Sequence, residues 1–315
     1  MNRGGLWFWG AAIAILAGGF AATQYVSNGY YFYAAYVVLQ YVVLATAWNI
    51  LGGYAGYVNF GAAGFFATGS YAAAVLYKAF GMPLPVMILG GGLAAALIGL
   101  GTGYLTMRLK GVFFAIATLA LSIVLETLIK NWDYVGGSRG IYVLHPRGNP
   151  VFGDYGRLLF FVMLILAIVA VVAARLVERS HFGRGLAALR DDEQAAESAG
   201  VPTLRLKLFA ATLSGGLMGI AGAPLPYYVS HLEPGSAFGL AIAVNTIAMP
   251  MIGGTTTWIG PVVGAVLLGG AQQIATVTIS SVLNLLIVGL LLVGFVIFAP
   301  DGVVGLARKL FHRGW

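Results

Sequence analysis

The chain has 315 residues, 60% of them hydrophobic and only 9% charged, with a formal net charge of +7. A mean hydropathy of +0.90 excludes a water-soluble domain, and with no roughly ten-residue alternating segments to suggest a barrel it requires membrane-spanning helices. The absence of cysteine excludes disulfides and thiol chemistry.

Hydropathy predicts spans over about 6–24, 30–51, 58–78, 84–107, 111–130, 157–176, 206–229, 238–252, 258–279 and 282–299. The expected fold is an all-α polytopic membrane protein of about 8–10 helices, in one domain over 1–315. The first segment, "MNRGGLWFWGAAIAILAGGFAATQY", reads as an uncleaved helix entering from the cytoplasm, with a signal peptide as the alternative. Forty-six glycines suit helices that pack closely through small residues.

The third segment, "YVNFGAAGFFATGSYAAAVLY", and the eighth, "GLAIAVNTIAMPMIGG", are interrupted by Gly, Asn or Pro. Irregular backbone at membrane depth is tolerated where it faces a cavity or buried protein. Asn59, Gly61 and Gly64 are therefore candidates for a translocation pathway, with Asn245, Thr255 and Thr256 around the eighth span. Their amides and hydroxyls suit a neutral or zwitterionic solute; the competing reading is close helix packing.

Glu126 is the one ionisable candidate within the spans, and Lys130, one turn on, offers it an interfacial i,i+4 partner. His145, His181 and His231 form no metal-ligand spacing. A proton-coupled carrier needs a titratable group in its spans, and an enzyme a nucleophile with its base. Neither pattern is legible, so the energy source is expected on another chain, with no enzymatic activity here.

Ten crossings from a cytoplasmic N-terminus place Arg3, Arg108, Lys110, Arg175, Arg179, Arg184, Arg190, Arg205, Lys207, Arg308, Lys309 and Arg313 inside. Lys78, Lys130, Arg139, Arg147 and Arg157 stay outside. Twelve cations against five obey the positive-inside rule. The 131–156 loop is then external, and both termini are cytoplasmic.

A charged island, about 179–203, interrupts this apolar chain with "RSHFGRGLAALRDDEQAAESAG". Its composition is helical, and Gly200 with Pro202 stops it. Ala188, Ala195, Ala196 and Ala199 make a small-residue face rimmed by Arg190, Asp191, Glu193 and Glu197. Such a helix fits a partner's groove, or is simply a solvated loop.

Several motifs, in order, resemble the LivM-type permease subunits of branched-chain amino-acid ABC importers. They are "NILGGYAGYVNFGAAGFFATGSYAAA", "LKGVFFAIATLALS", "VGGSRGI", "FGRGLAALRDDEQAAESAGV", "IGPVVGA" and "FAPDGVVGL". The resemblance makes the island a coupling segment, with Arg190, Asp192, Glu193, Ala195, Ala196 and Gly200 as ATPase-coupling residues. It implies a second, LivH-type permease, two cytoplasmic ATPases and an external solute-binding protein, in a bacterial or archaeal cytoplasmic membrane, with no nucleic acid. ATP and Mg would belong to the ATPases; this chain has no phosphate-binding Gly-x-x-x-x-Gly-Lys-Ser/Thr run and would hold no cofactor or metal. The implied solutes are branched-chain or other hydrophobic amino acids, with urea, amides or aromatic acids as alternatives. A sodium-coupled carrier is the rival class.

Overall fold

A computed structural model describes residues 3–106, 109, 111–144, 151–278, 289–290, 293–294 and 302–306. In chain order its helices are α1 (Arg3–Tyr25), α2 (Gly29–Gly52), α3 (Ala62–Phe80), α4 (Leu84–Thr106), α5 (Val112–Lys130) and α6 (Tyr155–Arg179). The island contains α7 (His181–Asp191) and α8 (Glu193–Ser198). There follow α9 (Thr203–Gly222), the short α10 (Leu225–Val229) and α11 (Pro234–Ala237), then α12 (Leu240–Gly253) and α13 (Ile259–Thr278).

Among the described residues, eight helical segments are long and apolar enough to cross a membrane, so the chain is a multi-pass α-helical membrane protein. The predicted third span is not among the eight. Its helix begins only at Ala62, after an irregular stretch 53–61, and runs unbroken to Phe80. The eighth is also continuous: Asn245 and Pro250 both lie within α12. The predicted tenth span, 282–299, falls almost wholly outside the described residues, as do Arg108, Lys110, His145, Arg147, Arg308, Lys309 and Arg313.

Burial ranks the helices. In α2 and in the α9–α10 segment 61% of the apolar window is enclosed, in α1 none. The centre of the bundle is therefore α2 and α9, with α4 and α3 packed on α9 and α6 on α2. Small residues permit this closeness. Gly69 of α3 faces the Gly219 backbone of α9, and a Cβ on Gly91 of α4 would lie 2.7 Å from the Gly69 carbonyl. Three backbones meet where no side chain fits.

Peripheral α1 is held at two places by arginines of α6. The Arg157 guanidinium donates to the carbonyls of Thr23 (3.0 Å) and Val26 (3.1 Å), unpaired acceptors just before and beyond the helix end. Arg175 lies over the Phe8 ring at 3.7 Å. One end of the bundle carries residues 131–144, 151–154 and 230–239, with an antiparallel pair, β1 (Ile141–Tyr142) with β2 (His231–Leu232), between the first and last of these. The opposite end carries 53–61, 254–258 and the island.

Candidate functional site

The island's residues fold as two helices where the composition reads as one. Asp192 is the reason: its backbone is extended, and its carboxylate accepts from Gln194 N (2.8 Å) and Ala195 N (3.0 Å), capping α8. Gly200 ends the unit with φ +82°, and a Cβ there would touch nothing, so glycine serves backbone conformation alone. The break rotates the alanines apart. Ala195 and Ala199 are exposed, whereas Ala196 is buried at 5%. Ala196 therefore faces this chain's own bundle, which corrects the expectation that it lies on a partner-facing surface.

Facing outward is a shallow groove of about 480 Å³ between α7 and the start of α9. Phe182, Gly185, Ala188, Ala199, Gly200 and Pro202 line much of it. Phe182 stacks on Phe209 of α9 at 4.7 Å, fixing one wall.

Glu193 also turns inward. Its carboxylate accepts from Lys207 Nζ of α9 at 2.5 Å and from the Tyr57 hydroxyl at 2.7 Å. The Lys207 and Glu193 side chains are only 8% and 14% exposed, so the pair is shielded from screening by solvent. Burial first, then the Glu193 carboxylate, holds the Tyr57 phenol above its ordinary range. Lys207 Nζ sits 4.8 Å from the Tyr57 ring centroid, and that ring meets Phe114 of α5 edge-on.

Two further ties bind the same end. Arg190 Nη1 donates to Gly53 O at 3.4 Å, and its aliphatic stem covers Gly56. Gly56 has φ +77°, and a Cβ there would lie 2.9 Å from Arg190 Cγ, so conformation and closeness both require glycine. Glu178, at the end of α6, accepts from Trp258 N (2.6 Å) and the Tyr54 hydroxyl (3.3 Å). The segment 53–61 is thus joined to the island, to α6 and to α9.

The first pathway set stays together, but in a packed setting. Asn59 is 2% exposed; its Oδ1 accepts from Gly61 N at 2.7 Å, and its carbonyl accepts from Trp48 Nε1 at 2.8 Å. A Cβ on Gly61 would lie 2.8 Å from the Thr118 carbonyl, and one on Gly64 would lie 3.1 Å from Ser122 Cα. These residues close α3 on α5. Asn59→Leu should accordingly lower the thermal midpoint, at a cost of about 1–2 kcal/mol for the orphaned Gly61 donor. An unchanged melting curve with slowed transport would return Asn59 to the pathway.

The second set is split. Asn245 bridges three helices, donating to the Tyr41 hydroxyl (3.2 Å) and accepting from Gln272 Nε2 (3.0 Å). Thr255 and Thr256 lie in the turn after α12, beside Gly53 at the island's end. Ten residues of helix and turn separate them from Asn245, roughly 15 Å at helical rise.

Glu126 does pair with Lys130, at 2.6 Å. It is not the only ionisable group in the spans: Arg157, Arg175 and Lys207 also lie in crossing helices. Arg175 and Lys207 are each 7% exposed. Lys207, Tyr57 and Glu178 are the residues that sequence reasoning missed. The available signal was a lysine within an apolar helix, fourteen residues after a glutamate.

A family profile described as the permease component of branched-chain amino acid transport systems matches residues 30–296. The chain is 27% identical over 299 residues to the high-affinity branched-chain amino acid transport system permease protein LivM of Escherichia coli, spanning 87% of this chain and 70% of that protein. It is 26% identical over 272 residues to the probable branched-chain amino acid transport permease protein LivH of Methanocaldococcus jannaschii, covering 81% and 85%. The autoinducer 2 import system permease protein LsrC of Yersinia enterocolitica is 26% identical over 217 residues, covering 65% and 59%. No solved structure matches significantly.

Proposed function

We propose, because this chain belongs to the permease family of branched-chain amino acid transport systems, that it is one permease subunit of an ATP-driven importer for branched-chain or other hydrophobic amino acids. It forms half of the translocation path with a second, LivH-type permease. Two cytoplasmic ATPases bind ATP and Mg, and an external binding protein delivers the solute. The island is the coupling segment, so its end of the bundle is cytoplasmic, as the excess of lysine and arginine there favours.

The observation that carries this reading is the outward groove of the island. Ala188, Ala199 and Gly200 expose little but backbone and methyl groups between the Phe182 wall and Pro202. A shallow, mostly apolar groove with small walls accepts an inserted side chain or helix edge from a partner. The partner-facing residues in this reading are Ala199 and Gly200 in the groove, with Arg184 at its edge and the exposed Ala195, Arg190 and Asp192 beside it on the island. Glu193 and Ala196 support the island from beneath.

Purified from its native membranes, the tagged chain should carry ATPase subunits, and the complex in liposomes should accumulate leucine only with ATP. Ala199→Trp should block ATPase capture by filling the groove, while the thermal midpoint of the isolated chain stays at the wild-type value because Ala199 is exposed. The same capture tests orientation, since the ATPases are cytoplasmic. Leucine uptake by the chain alone, driven by a sodium gradient, would overturn the proposal. Uptake of urea or benzoate in place of leucine would overturn only the solute class.

A further inference from the structure

Glu193 is the first residue of α8, at the heart of the island, yet its carboxylate is engaged with this chain and is mostly buried. One oxygen takes the Lys207 ammonium of α9; the other takes the Tyr57 hydroxyl from the irregular segment that leads into α3. Tyr57 is itself fixed on both sides. Its N–H donates to Leu51 O at 3.1 Å, and its ring lies edge-on against Phe114 of α5 at 5.2 Å. Three residues further on, Phe60 N donates to the Thr118 hydroxyl of α5 at 3.1 Å.

A short charge-assisted contact between nearly buried groups tolerates little change in length. Displacing α8 must therefore either break the Glu193 contacts or carry Tyr57 with it. Tyr57 cannot shift without pulling on the 53–61 segment and on the starts of α3 and α5.

We propose that Glu193, Lys207 and Tyr57 form a transmission strut, in which the Tyr57 hydroxyl is the link that passes movement of the island to α3 and α5. The proposal rests on the importer reading above and deepens it. Tyr57 and Lys207 are positioning residues: they touch neither solute nor nucleotide but set how island movement reaches the bundle.

The test uses the complete importer in liposomes and reads leucine moved per ATP hydrolysed, alongside subunit assembly and thermal midpoint. Tyr57→Phe removes one hydroxyl and keeps the ring against Phe114. It should reduce leucine moved per ATP by about tenfold, the order expected for losing a hydrogen bond to a charged group, with assembly intact. The paired change Glu193→Gln with Lys207→Met removes the charges without stranding either one, and should give a similar loss. A wild-type transport ratio in both would overturn the strut. So would a loss of assembly and thermal stability in both, because the contact is then only a folding one. If urea or benzoate stimulates ATP hydrolysis in place of leucine, the transport ratio is read with that solute; if none of the three does so in the wild-type complex, the importer reading falls, and the strut falls with it.

Discussion

Lys207→Met should unfold the isolated chain more readily than wild type by about 3 kcal/mol, the low end of the cost of leaving one member of a buried ion pair uncompensated. The lower end applies because Glu193 keeps a small exposure, 14%, and retains the Tyr57 hydroxyl as a donor. The loss comes from Glu193 and not from packing at position 207, since Met nearly matches the lysine stem in length. Adding Glu193→Gln should therefore restore most of the stability, because replacing both partners of a buried pair by neutral groups is close to neutral. Thermal unfolding in detergent measures both steps. A single variant that melts with wild type, or a double variant that melts no higher than the single, would show that the pair is not shielded.

The second large effect comes from adding one methyl group. Gly69→Ala places a Cβ into the backbone of α9 at Gly219, where the nearest atoms are a carbonyl and a Cα that no rotamer change can move. Intrinsic helix propensity favours alanine over glycine by about 1 kcal/mol. Overpacking of a closed core costs about 1–3 kcal/mol and occasionally more. The steric cost must dominate here because α3, α4 and α9 converge at this point and cannot separate without opening the centre of the bundle. Net destabilisation of about 2 kcal/mol is expected, with a matching loss of folded protein in the membrane. Gly101→Ala, on the exposed side of α4 with nothing within 4 Å of its Cβ, should be neutral or slightly stabilising. If the two variants melt alike, the α3, α4 and α9 backbones are not in close contact at Gly69.

The pathway candidates show where sequence reasoning reaches its end. Asn59 and Gly61 stand out in an apolar chain, and the residues correctly mark a departure from helical backbone. Their purpose depends on partners distant in sequence. Trp48 and Thr118 occupy the polar groups of Asn59 and Phe60, and the Thr118 backbone occupies the space beside Gly61. Glycine for packing and glycine for a cavity look identical in one dimension. Asn245 similarly reads as a polar interruption, whereas Tyr41 and Gln272 make it a bridge between α2, α12 and α13.

By itself the sequence determined the membrane class, nearly all the crossing helices, the Glu126–Lys130 pair and the family, because these rest on local properties. Hydropathy over twenty residues, a charge one turn away and motif order survive without knowledge of contacts. Which way the island faces depends on long-range packing. Asp192 breaks its helix locally, but the side of α8 turned outward is chosen by Lys207, fourteen residues later, and by Tyr57, more than a hundred residues earlier. A carboxylate beside alanines can point at solvent, at a partner or at its own bundle. Its direction is set by the nearest unpaired cation and donor once the helices have packed, and chain order does not encode that proximity.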